Sequence, residues 1–180
     1  MKDGEIIYRY ALQYSSMLDI FISGQRLSMK LNGIDPDSNN NIKKYNIIAE
    51  TIVARLVNIA FSIELYLKAI LKYKGNDYRY IHKLDDLYEK LGDSCKKEIS
   101  DAVIRLYKEQ CGEDISNTFI EILKKNANVF VDWRYAYEKH TEANVDFLII
   151  LSEVIKLYAI NIFEPEYINK MTNNKWFLSF

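Results

Sequence analysis

Residues 45–74, YNIIAETIVARLVNIAFSIELYLKAILKYK, decide how this chain folds. Ile52, Leu56, Ile59, Ile63, Tyr66 and Ile70 recur every three or four residues and form one apolar stripe. Ala49, Val53, Val57, Ala60, Leu67 and Leu71 form a second. A helix that is apolar on two faces has to be covered on both, so it belongs at the centre of a bundle or in a dimer interface. Glu64 falls in the second stripe with Lys68 one turn on, in the order that favours an ion pair. Gly75-Asn76 stops the helix.

The same period continues outward from this element. Ile6, Tyr10, Tyr14, Met17, Leu18 and Phe21 predict a first helix that ends near Asn32-Gly33. Residues 32–44, NGIDPDSNNNIKK, have no apolar period and read as a surface loop. Downstream, His82, Leu84, Leu87, Tyr88 and Leu91 predict a short helix that closes at Gly92. Ser94 is placed to cap the next helix, which runs through Ile99, Val103, Leu106 and Tyr107 to Gly112. Phe119 to Phe130 holds a shorter apolar segment, and Phe147 to Ile162 a last long helix ended by Pro165, followed by a tail over 164–180. The expectation is an all-α bundle of about five helices in one domain over residues 1–180.

Composition narrows the function. The 180 residues carry 24 Lys and Arg against 25 Asp and Glu, so no bulk positive field draws the chain onto nucleic acid and any such contact needs a local patch. The start, MKDGEIIYRY, lacks the basic-then-apolar order of an export signal, and no apolar run approaches the roughly 20 residues that span a bilayer. A cytoplasmic protein with no membrane contact is expected. Cys95 and Cys111 stand apart from each other and from His at metal-binding spacing, and both read as small buried residues. P-loop, dinucleotide-binding, zinc-protease, nucleophile-elbow and EF-hand patterns are all missing, so no metal and no cofactor are expected.

Three segments in order then carry a resemblance: 62–71 SIELYLKAIL, 82–88 HKLDDLY and 130–140 FVDWRYAYEKH. Together they resemble the HEPN family, small helical domains named from higher eukaryotes and prokaryotes nucleotide-binding, over about Ala49 to Ile162. Many HEPN proteins are metal-independent RNA endonucleases whose motif is Arg, four to six residues, then His. Arg134 and His140 match that motif with five residues between them. The resemblance implies a homodimer with a shared cleft, an RNA substrate, and a cognate antitoxin partner in a toxin–antitoxin or phage-defence setting. The two-faced helix or the late helix would form the dimer contact.

The chemistry suits those residue types. A histidine can take the proton of a ribose 2′-hydroxyl, and a guanidinium holds charge that develops on phosphate. Tyr135, Tyr137 and Glu138 would support the pair, and Glu64 with Lys68 would either orient Arg134 or fix helix register. Arg134 is equally suited to pair with Glu138 one turn away, His140 to sit solvated at a helix end with Thr141 as cap, and His82 to pack against the bundle as a helix-start residue. Residues 68–83, KAILKYKGNDYRYIHK, interleave Lys72, Lys74, Arg79 and Lys83 with Tyr, as a single-strand RNA surface would; cations at the end of a helix also match its dipole. A catalytically silent HEPN domain that binds nucleotide, RNA or a partner protein is the alternative to an enzyme, and a plain helical interaction module is a third reading.

Overall fold

A computed structural model describes residues 2–31, 42–133 and 143–166. Among these there are seven helices and no strand: α1 (Glu5–Leu31), α2 (Ile42–Tyr73), α3 (Leu84–Glu89), α4 (Asp93–Cys111), α5 (Phe119–Lys125), α6 (Val129–Asp132) and α7 (Val145–Phe163). The all-α expectation holds. The short apolar segment resolves into two helices, α5 and α6, because Asn126 and Asn128 bracket a break between them.

α2 is the central element. From Leu56 onward both of its stripes are buried, including Leu56, Ile59, Ile63, Tyr66, Leu67, Ile70 and Leu71. α1 runs antiparallel along it. Gly4 at φ +89 lets the chain pass so close to α2 that a Cβ there would run into the Ala69 carbonyl, and further along Tyr14 packs edge-on against Phe61 at 4.6 Å. α7 runs parallel to α2: Ser62 and Ser152 approach to 3.4 Å near its start, while at its end Phe163 packs edge-on against Tyr73. Phe163 also stacks on Tyr8 of α1 at 4.7 Å. α4 then covers α7. The buried residues of all seven helices form one continuous apolar cluster.

Two buried tyrosine hydroxyls inside this core find partners. The Tyr66 hydroxyl lies 2.8 Å from Ser15 Oγ, and burial pushes its pKa up to about 12, so it remains a neutral donor or acceptor. Tyr8 donates to Glu164 at 3.1 Å, which ties the end of α7 to the start of α1.

Several boundaries differ from expectation. α2 starts at Ile42, inside the stretch read as loop; residues 32–41 of that stretch lie outside the described residues. α4 is capped by Gly92, and Ser94 sits within its first turn, where its hydroxyl donates to Glu98. Its stop is as read: Gly112 at φ 75 takes the left-handed position that glycine favours. α7 is capped by Asn144, whose side chain accepts from the Phe147 N–H at 2.9 Å, and Thr141 lies outside the described residues. Glu164, just before Pro165, ends α7, and the tail beyond Glu166 is likewise outside them. Cys95 is buried as expected but Cys111 is exposed, since it lies on the last turn of α4, past that helix's contact with the core. From Leu56 onward most of the apolar surface of α2, like most of that of α7, is spent inside the bundle.

Candidate functional site

Glu64 is the most buried acidic residue described, at 1% exposure. It sits on α2 because the helix period carries it into the second apolar stripe, and burial of an unpaired carboxylate would be very costly. Its Oε1 accepts from Lys68 Nζ at 2.7 Å, the pair that the i,i+4 spacing predicts. The same oxygen lies 3.0 Å from His82 Nδ1. A carboxylate oxygen can only accept, so Nδ1 carries a proton and donates it to Glu64.

His82 reaches Glu64 from the loop that joins α2 to α3. The Leu84 N–H donates to the Ala127 carbonyl at 3.1 Å, which ties the end of that loop to the link between α5 and α6. The imidazole is 64% exposed. The expectation of a histidine packed against the bundle is therefore corrected: only its Nδ1 edge is engaged, because Ile81 and Leu84 on either side supply the apolar anchors. A histidine oriented by a buried carboxylate and open on its other edge is the arrangement of a positioned general base. Lys68 adds a cation beside it.

Lys72, Lys74, Arg79 and Lys83 all lie exposed around this loop. Arg79 turns back on Asp77, whose Oδ1 accepts from the Arg79 backbone N–H at 3.1 Å and from its Nε at 3.3 Å. Those contacts hold the Asp77 carboxyl below its ordinary range. Between these cations stands Tyr80, 95% exposed and at φ 63, a left-handed conformation that costs a tyrosine about 1–2 kcal/mol. The sequence reading counted Tyr80 only as part of the patch; no local pattern signals a positive φ on tyrosine.

Arg134, Tyr135, Tyr137, Glu138 and His140 lie outside the described residues, which stop at Trp133 and resume at Ala143. Both flanks are fixed. Before the gap, Phe130 of α6 stacks on Phe61 of α2 at 4.7 Å, and Phe61, Glu64 and Lys68 share one face of α2 at three- and four-residue spacing. After it, the Asn144 N–H donates to Asn126 Oδ1 at 3.0 Å and the Asn144 amide donates to the Tyr107 hydroxyl at 3.1 Å. Among the described residues, Glu64 Oε2 and Trp133 Nε1 are buried and find no hydrogen-bond partner.

Among the described residues no three His, Cys, Asp or Glu side chains gather closely enough to hold a metal ion. Their larger concave surfaces lie away from Glu64, between the start of α1 and the end of α7 and beside Asn126 and Asn144. Among the described residues no helix is long and apolar enough to cross a membrane. Comparison with protein-family models, with curated proteins and with solved structures finds no match to this chain.

Proposed function

We propose that this chain is a metal-independent RNA endonuclease of the HEPN type, with Arg134 and His140 as the catalytic pair. The observation that carries the reading is the Glu64–His82–Lys68 cluster, a buried carboxylate that orients a histidine and a cation on the α2 face where α6 packs just before Arg134. In this reading a histidine takes the proton from a ribose 2′-hydroxyl, the freed oxygen attacks the adjacent phosphorus, and the 5′-oxygen leaves with a proton. The products carry a 2′,3′-cyclic phosphate and a 5′-hydroxyl. Arg134 holds the charge that grows on the phosphoryl oxygens, with Tyr135, Tyr137 and Glu138 in support. The second oxygen of Glu64 is an acceptor of the kind that a guanidinium fills. A cytoplasmic toxin–antitoxin or phage-defence role, with an antitoxin protein that restrains cleavage, goes with this function.

A second reading, an RNA-binding domain that does not cut, is favoured by Tyr80. An exposed aromatic held among Lys72, Lys74, Arg79 and Lys83 is a stacking platform whether or not a bond is broken.

Labelled RNA incubated with the protein in EDTA tests both. Cleavage to cyclic-phosphate ends is expected, with loss of at least about 100-fold in Arg134→Ala and His140→Ala at unchanged helicity. Tyr80→Gly relieves the backbone strain, so it should fold at least as stably as the parent while its affinity for single-stranded RNA falls about tenfold. Binding without cleavage supports the second reading. Neither binding nor cleavage by folded protein overturns both.

A further inference from the structure

α1 has two apolar faces, and the described residues of its own bundle cover only one. Tyr8, Ala11 and Ser15 are buried against the rest of the fold, and Met29, two heptads beyond Ser15, continues that face. On the solvent side Ile6, Tyr10, Met17, Ile20 and Leu27 are 41% to 70% exposed. With Gln13 and Gly24 between them, these positions alternate steps of four and three residues without a break. That is the 3.5-residue period of a coiled-coil seam, and it lies opposite the buried face. A surface helix of a lone bundle needs one apolar stripe; a second with strict heptad spacing calls for another helix.

We propose that this seam joins two copies of the chain, α1 packing antiparallel on α1 about a two-fold axis between Met17 and Ile20. The proposal stands apart from the ribonuclease reading and goes beyond it. The sequence of the seam is self-complementary in that register. Met17 faces Ile20, Tyr10 faces Leu27, and the two positions without an apolar side chain, Gln13 and Gly24, face each other. Gly24 offers the room: a Cβ there would meet nothing within 4 Å, and Ile20, Ser23, Gly24 and Leu27 line an open apolar depression. Parallel pairing would set Gln13 on Gln13 and leave a void at Gly24 against Gly24.

Charge and area agree with this occupant. Arg9, beside the seam, lies 3.5 Å from Glu5 and 2.8 Å from Glu164, and around that end of α1 the carboxylates of Asp3, Glu5, Glu164 and Glu166 outnumber the cations of Lys2 and Arg9. The antiparallel register brings to it the last turn of the second copy's α1, which carries the exposed Lys30. Five seam side chains, each leaving roughly 100 Å² in water, bury about 1,000 Å² over the pair, which reaches the lower bound for a specific interface before flanking residues are counted.

Sedimentation of the full chain tests the inference. A dimer is expected at about 10 μM. Ile20→Glu with Leu27→Glu should weaken self-association by at least about 100-fold while helicity and melting temperature stay as in the parent, since both side chains are exposed. In a Cys111→Ser background, Tyr10→Cys and Leu27→Cys chains should form a disulfide with each other when mixed, and neither with itself. A monomer at about 100 μM overturns the proposal. So does a dimer that survives both glutamates, and so does self-linking of either cysteine variant, which would mean parallel pairing.

Discussion

Glu64 shows how one residue type in the wrong solvent forces its neighbours. At 1% exposure the carboxylate is tolerable only because Lys68, itself 13% exposed at its side chain, and His82 both bond to it. Removing one member of a buried pair strands the other, so Glu64→Ala is expected to cost about 3–5 kcal/mol in urea unfolding. Replacing both charges, Glu64→Leu with Lys68→Met, should recover most of that loss, because apolar groups of similar size need no partner in the core. The double variant would then fold but, on the ribonuclease reading, cut RNA poorly. If it both folds and cuts at the parental rate, the cluster serves helix packing alone. Lys68 was legible in the sequence because a single helix turn separates it from Glu64. His82 was not, since it lies 18 positions further on, across a loop.

At the scale of elements, the helices are held as much by their ends as by their faces. Asp114, in the loop between α4 and α5, accepts from the Ser116 N–H at 3.0 Å and from Lys108 Nζ at 3.0 Å. The backbone N–H first, then the ammonium, lower its pKa from 3.8 to about 2. Its folded-state pKa lies below the unfolded one, so the unfolded chain binds more protons in that window. The contribution is present above about pH 4 and fades as pH falls towards 2. Asp114→Asn should therefore reduce stability near pH 6 and flatten its fall between pH 4 and 2, as read from urea midpoints across that range. An unchanged profile would mean that the loop does not need the charge. Cys111, the last residue of α4, has its thiol pushed up by desolvation first and then by Asp146 and Glu113, which makes it a poor nucleophile at neutral pH despite its exposure. The sequence placed the Gly112 stop correctly, because glycine is the residue that takes the left-handed position at least cost. It misplaced the cap of α4, because Ser94 and Gly92 are both acceptable starts and the choice between them rests on how α4 meets α7.

Over the whole molecule, α2 touches α1, α3, α6 and α7, while α4 and α5 join the core through α7 and α3. Ile63, fully buried at its centre, is the test: Ile63→Ala should cost about 2–5 kcal/mol, and far-UV and near-UV circular dichroism should shift together along one denaturant transition. Two separated transitions would divide the chain into independently folding parts. The sequence by itself determined that the chain is helical, that α2 has two faces to cover, and that Glu64 and Lys68 are spaced to pair. Each of these depends on residues within a turn or two of one another, where the 3.6-residue period leaves a readable trace. Only the tertiary structure decided that His82 closes on Glu64, that Tyr80 stands out in a strained turn, and that α1 keeps an apolar seam on its outer face. A stripe of apolar residues looks the same in sequence whether a neighbouring helix covers it or water does. What separates the two is the packing of helices far apart along the chain, and among the described residues that packing buried both faces of α2 from Leu56 onward and only one of α1.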